Sequence, residues 1–142
     1  MFKLHAQLKK DGHLLGRFAL CHLLLMNDAR YPWFILVPAR ADISEIFQLS
    51  SQDQQQLWHE SSQLAEALMQ AFDGDKMNIA ALGNVVPQLH VHHIVRHTTD
   101  AAWPAPIWGK LPARPYTDSA RESLLEKLFS LPLLQSDFTR QV

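Results

Sequence analysis

Between Pro87 and His97 the chain reads PQLHVHHIVRH, and four of its eight histidines, His90, His92, His93 and His97, fall within eight positions. An imidazole has an ordinary pKa near ~6.5, so around neutral pH one ring can offer a lone pair while its neighbour holds a proton. That division of labour suits attack on phosphorus. One nitrogen forms a covalent phosphoramidate, and a second group protonates the departing oxygen or nitrogen, an assistance typically worth ~100 to 10,000-fold. Two other readings compete. An H-x-H pair on a strand can bind zinc, but it needs a third ligand, and no second spaced cluster of Cys, His or acidic residues is present. The rings can also be hydrogen-bonded core residues with no chemistry, which is the natural reading of His93, buried and neutral, and of His97 at an exposed strand end.

Strand geometry decides which of these rings act together. Side chains alternate faces, so Gln88, His90, His92, Ile94 and Arg96 share one side, and Leu89, Val91, His93 and Val95 share the other. The second set continues an apolar pattern and belongs under a helix. The first presents three hydrogen-bonding side chains in a row at ~6.6 Å steps, a spacing that suits an extended anionic ligand.

The rest of the sequence supplies the scaffold. Leu4 to Lys10 forms a short helix stopped by Asp11-Gly12, then HLLGRF, ALCHLLLMND and WFILVPA read as three strands separated by turn signals. Asp42 with Glu45, and Ser50 with Asp53, match helix-start spacing, which predicts a short turn near Ile43 to Phe47 and then a long helix. In that helix Leu57, Leu64, Leu68 and Phe72, with Ala65 and Met69, make a stripe that covers a sheet face, and Asp73-Gly74 ends it. MNIAALGN and QLHVHHIVR follow as strands four and five, joined by a short connection from Gly83 to Pro87. Three strands, a long helix and two more strands imply an α+β fold with a largely antiparallel sheet covered on one side. From Asp100 onward WPAPIWGKLPARPY, rich in proline and tryptophan, lies on the sheet or on a partner subunit. Ser119 to Ser130 makes a last helix with Leu124, Leu125, Leu128 and Phe129 as its contact face.

Composition narrows the function classes. With 142 residues the chain fits one domain. A formal net charge of -1 gives no basic excess to attract nucleic acid. No apolar run reaches the ~18 residues of a membrane span, no signal-peptide segment is evident, and the lone Cys21 sits in an apolar run, so the expected setting is cytoplasmic.

The segment Gln88-Leu89-His90-Val91-His92-His93-Ile94 resembles the signature of the histidine triad (HIT) superfamily, His-φ-His-φ-His-φ-φ with φ hydrophobic. Upstream, Met26-Asn27-Asp28 followed by YPWFILVPAR resembles the family's nucleoside-binding strand and its companion. The resemblance covers roughly Leu14 to Arg96 and is nearest to bacterial proteins labelled diadenosine tetraphosphate hydrolase-like. Length and residue pattern together give a single domain over 1–142, with a core about 4–98 that resembles the family and an extension about 99–142 to which the resemblance does not reach. The implied fold is a five-stranded antiparallel sheet with one long helix, a short helix and a C-terminal helical extension. It also implies a homodimer whose sheets join edge to edge.

Carried over residue by residue, the resemblance makes His90 the nucleophile toward the α-phosphate of a purine nucleotide, a dinucleoside polyphosphate or nucleoside phosphoramidate, and His92 the group beside the scissile bridge. Asn27 would approach the ribose, and Gly83 and Asn84 would lie by the phosphates. No metal site and no cofactor are required, a magnesium ion travelling with the substrate being admissible, and neither nucleic acid nor a membrane is an expected partner. Two departures stand out: Gln88 replaces the first histidine, and Val85 stands where the family usually places Ser or Thr. If Gln88 supplies mainly its backbone carbonyl the change is mild; if a ring is needed there, activity drops. These departures motivate the alternative of a nucleotide-binding module with weak or no catalysis. Trp103 and Trp108 are packing residues or base contacts, and Arg96 and Lys110 are weaker candidates for phosphate.

Overall fold

The computed structural model describes residues 1–141. In chain order the elements are α1 (Ala6–Asp11), β1 (Gly12–Arg17), β2 (Cys21–Met26), β3 (Trp33–Pro38), a 3-10 turn at Ile46–Gln48, α2 (Ser51–Phe72), β4 (Lys76–Ala80), β5 (Val91–Arg96), α3 (Asp118–Phe129), α4 (Leu133–Ser136) and β6 (Thr139–Arg140). The strands form one sheet in the order β4-β5-β3-β2-β1-β6, and every neighbouring pair is antiparallel. The α+β architecture, the long helix and the C-terminal helices follow the sequence expectation. The sixth strand does not: a two-residue pairing of Thr139–Arg140 with β1 carries no readable periodicity. It is admitted by Gly16, where any Cβ would lie 2.2 Å from the Thr139 carbonyl oxygen.

On the back of the sheet, Leu57, Leu64 and Leu68 of α2 pack against Leu23, Leu25, Phe34, Leu36, Val91 and Val95, joined by Leu128 of α3. The helix begins where Ser50 caps it, its hydroxyl accepting from the Asp53 N–H at 3.1 Å. It ends at Asp73 in the left-handed conformation, followed by Gly74, whose missing side chain lets the chain pass Val95 and Met69. Glu60, buried on the sheet side of α2, accepts from the backbone N–H groups of Leu20 and Cys21, both at 2.9 Å, and so ties the helix to the β1–β2 turn. Ser50→Ala removes the cap and is expected to lower unfolding free energy by about 1 kcal/mol in a denaturant titration, with an unchanged slope.

The front face is covered too, contrary to the expectation of a one-sided sheet. Leu4 and Leu8 of the N-terminal arm, with Val86, pack on Leu24, Ile35 and Val37. Farther along, Ala102 and Ile107 of the C-terminal segment pack on Tyr31 and Ile94. This double coverage is why β3 and β5 are buried almost throughout rather than on alternate residues. Arg96 anchors the second cover. The residue is 1% exposed, and its guanidinium pairs with Asp100 at 2.8 and 3.0 Å, meets the Asn78 side-chain oxygen at 2.9 Å and lies over the Trp103 ring. Burial alone would raise the Asp100 carboxyl, but Arg96 and the N–H groups of His97 and Ala102 hold it below its ordinary value. Arg96 is therefore an internal tie and not a phosphate contact.

Candidate active site

The two front-face covers leave a seam between them, and His90 and His92 sit in it. Regular pairing of β5 begins at Val91, so His90 lies just before the strand, and the connection back to β4 runs from residue 81 to 90, longer than the sequence suggested. Their ring centroids are 4.9 Å apart with planes at 66°. Both rings line one hollow of about 370 Å3, closed on one side by Leu82, Gly83, Asn84, Val85 and Val86 and on others by Leu8, Met26 and Trp108. His93, on the opposite face, is fully buried. Its Nδ1 donates to the Val91 carbonyl at 3.0 Å and its Nε2 accepts from the Ser61 hydroxyl of α2 at 2.7 Å, while burial pulls its pKa down to about 4. It is a satisfied core residue. His97 bonds the Phe72 carbonyl through Nε2 at 2.8 Å and, half-buried, closes the end of α2.

Hydrogen-bond partners fix the tautomers of the two front-face rings. The Gln88 carbonyl can only accept, so His90 donates from Nδ1 at 2.7 Å, and its Nε2 is left as a lone pair with no hydrogen-bond partner among the described residues. Burial lowers the pKa of this ring, opposed by the Gln88 carbonyl, so the ring is neutral at pH 7. Gly83 passes close beside it, a Cβ there falling 3.3 Å from His90 Cε1. His92 is held from both sides. The Trp33 indole N–H, a donor only, reaches its Nδ1 at 3.0 Å, so its Nε2 carries the hydrogen and donates to the Leu82 carbonyl at 2.8 Å. Burial, chiefly, brings its pKa down to about 4. One ring thus offers a lone pair and the other a neutral N–H, which can attack an electrophilic phosphorus and hydrogen-bond an atom leaving from it.

Gln88 divides its contacts between the histidine and the N-terminal arm. Its backbone carbonyl orients His90, and its side chain faces the N-terminal arm: Nε2 donates to the Lys3 carbonyl at 2.9 Å and Oε1 accepts from the His5 N–H at 2.9 Å. An amide offers a donor and an acceptor from one carbon, matching the carbonyl and N–H that flank Leu4 in an extended arm.

Asn27 lies in a second hollow of about 400 Å3 that it lines with Lys10, Asp28, Trp33, Ala113 and Pro115; Asp11 and Met26 line both hollows, which therefore adjoin. Its side-chain oxygen accepts from the Tyr116 N–H at 2.9 Å, and buried Asp28 accepts from the N–H groups of Arg30 and Arg114. The segment after Leu111 thus straps its own subunit's second hollow. Trp33, Leu82, Asp11 and Met26 escaped the sequence reading. Trp33 had a usable signal, because it stands two residues from Ile35, the cross-strand partner of His92, and so faces the same side. The Leu82 contribution is a backbone carbonyl, which no residue type announces. Trp108, read as either packing or contact, edges onto His92 at 5.1 Å and lines the hollow. Among the described residues no group of three His, Cys, Asp or Glu side chains is placed to hold a metal. Among the described residues no helix is long and apolar enough to cross a membrane.

Comparison with protein families matches residues 7–99 to the HIT domain. Among solved structures, a histidine triad protein from Marinobacter aquaeolei is 54% identical with a TM-score of 0.92, covering 96% of this chain and 98% of that one. A histidine triad (HIT) protein from Sinorhizobium meliloti is 43% identical with a TM-score of 0.89, covering 92% and 96%. A histidine triad protein from Bradyrhizobium japonicum is also 43% identical with a TM-score of 0.89, covering 91% and 96%. No curated protein matched the chain.

Proposed function

The chain belongs to the HIT domain family, and on that premise we propose that it is a nucleotide hydrolase or transferase acting at the α-phosphate through His90. The observation that carries this reading is the free Nε2 of a neutral His90, opposite an Nδ1–H held by the Gln88 carbonyl, on the wall of an open hollow. Nε2 attacks the α-phosphorus and a nucleotidyl-histidine forms. The positive charge that develops on the ring is stabilised by the Gln88 carbonyl. Water then releases the mononucleotide and restores the ring. The Nε2–H of His92 turns from the Leu82 carbonyl toward the atom leaving phosphorus, while Gly83 and Asn84 bring backbone and amide to the phosphate. The purine nucleoside extends into the second hollow toward Asn27. Dinucleoside polyphosphates and nucleoside phosphoramidates both carry a leaving group on the α-phosphorus, bound through oxygen in the first and nitrogen in the second, and a magnesium ion would come with the substrate.

The assembly we propose is a homodimer through β4, one of the sheet's two edges, where Ile79 is exposed. A bacterial, cytoplasmic setting fits the sources of the related structures and the single buried thiol of Cys21.

Gln88→Ala tests the division of labour at the first triad position. The backbone carbonyl survives the substitution, so kcat/KM is expected to stay within about tenfold of the parent. Stability should fall by about 1 to 2 kcal/mol as the two bonds to the arm are lost. A loss of a thousandfold or more would mean that the side chain itself takes part in the chemistry. Calorimetry with AMP, read beside assays on adenosine phosphoramidate and diadenosine tetraphosphate, separates this reading from a binding module. Binding without turnover of either compound would favour the module.

A further inference from the structure

Of the two hydrogen bonds that hold His92, one comes from a strand and one from a loop, and that difference assigns a role to Trp33. The indole N–H lies 3.0 Å from His92 Nδ1 and belongs to β3, an interior strand paired on both sides. Trp33 pairs directly with Ile94, so it reaches His92 on the diagonal, the ring centroids 5.8 Å apart and the planes inclined by 40°. The indole also packs against both apolar clusters of the front face and forms part of the wall of the second hollow, which fixes it from several sides. The other bond, from His92 Nε2 to the Leu82 carbonyl at 2.8 Å, ends on the connection between β4 and β5, past the last paired residue of β4.

In the resting site both partners ask for the same arrangement, a donor facing Nδ1 and an acceptor facing Nε2. Their roles separate when a substrate is present. Once the Nε2–H swings from the Leu82 carbonyl to the atom leaving phosphorus, the indole N–H still specifies which nitrogen carries the ring's hydrogen. It also opposes a second proton, since a proton on Nδ1 would point at another hydrogen. The titratable side chains that face His92 among the described residues are His90 beside it and Asp11 of α1 on the wall of the same hollow. Trp33, Trp108 and the Leu82 carbonyl bring no charge. A change confined to the indole N–H therefore leaves both of those titratable groups in place.

We infer that Trp33 is a positioning residue for the leaving-group step: its indole N–H is the anchor about which the His92 ring turns, keeping the hydrogen on Nε2 while that hydrogen is offered to the departing atom. This rests on the assignment of His90 as nucleophile and of His92 to the leaving group. Trp33 acts through His92 and not on phosphorus itself. One side chain thus shapes the hollow proposed for the nucleoside and, through its N–H, sets the proton in the hollow proposed for the phosphate.

The test changes Trp33 in the full chain in two ways: Trp33→Phe, and Trp33→3-benzothienylalanine, which keeps the bicyclic shape and carries sulfur where the N–H stood. Long-range proton–nitrogen NMR correlations of the histidine rings, followed from neutral to acid pH, report the protonation of each ring nitrogen with no substrate present. In the parent His92 should carry hydrogen on Nε2 alone at neutral pH, and in both variants it should take up its second proton at least about one pH unit higher than in the parent. A kinetic readout accompanies this. With adenosine 5′-phosphoramidate or diadenosine tetraphosphate, whichever the parent turns over, the single-turnover rate of AMP transfer to His90 should fall at least about tenfold in both variants. Saturating substrate separates that loss from weaker nucleoside binding at the altered wall. A His92 titration identical in the parent and the benzothienyl variant, or a transfer rate unchanged in that variant, would overturn the inference and leave the nucleophile assignment standing. If the parent forms no AMP adduct on His90, the nucleophile assignment fails and the leaving-group role of Trp33 falls with it.

Discussion

His90→Ala is expected to reduce kcat/KM by at least about a thousandfold on any substrate the protein turns over, because it removes the lone pair assigned to attack phosphorus. His92 cannot replace it, since both its nitrogens are engaged by Trp33 and Leu82. The substitution should leave the fold standing. The His90 ring borders the hollow and belongs to none of the three apolar clusters, so its removal enlarges an existing opening instead of leaving a new cavity in the core. A urea titration of the variant should accordingly match the parent to within about 1 kcal/mol. The parent enzyme's own pH profile gives a companion check. Burial lowers the His90 pKa below its ordinary 6.5, so kcat/KM should hold steady from pH 8 to pH 6.5 and fall only in more acid solution as the ring becomes protonated. Retention of activity in His90→Ala, or an acid limb beginning above pH 7, would contradict its assigned role.

The second large effect concerns stability. His92 and His93 both have their pKa values pulled down to about 4 by burial, against an ordinary 6.5 in the unfolded chain. Between pH 6.5 and pH 4 the unfolded state therefore binds more protons than the folded one, and stability falls as pH falls through that window. At pH 5 each ring accounts for a loss on the order of 2 kcal/mol relative to pH 7, and the two together for a large share of a typical domain's 5–15 kcal/mol. Asp100, whose pKa is lowered from 3.8, contributes stability that is lost only in more acid solution, outside this window. Denaturant titrations at pH 7, 6 and 5 should show the decline, and it should be shallower in His93→Gln. An unfolding free energy that stays flat from pH 7 to pH 5 would contradict the account of both rings.

Much of this was legible in the residues. Alternation along QLHVHHIVR sorted His90 and His92 from His93 correctly, because a strand's period of two is strict and its back face had to meet the leucines of α2. Ser50, Leu57, Leu64 and Leu68 announced α2 by capping and spacing. What lay beyond reach was long-range and mostly backbone-mediated. The Leu82 carbonyl that holds His92, the Lys3 and His5 main chain that Gln88 clasps, and the Tyr116 N–H on Asn27 are partners separated by 10, 85, 83 and 89 positions. No local pattern encodes such pairings. Coverage of the front face by the N-terminal arm was missed for a related reason: the arm bearing Leu4 and Leu8 has too few apolar residues to show a period, yet it seals one side of the histidine seam. The proline-rich segment bearing Ala102 and Ile107, expected on the sheet or on a partner subunit, seals the other.

The account stands or falls on a bond between His90 and phosphorus. Brief incubation with an adenylyl substrate, an acid-free quench and mass spectrometry of the digested protein should reveal one AMP adduct, on the peptide containing His90, that disappears in His90→Ala and on mild acid treatment. Turnover with no adduct under single-turnover conditions, or an adduct on a peptide lacking His90, would contradict it.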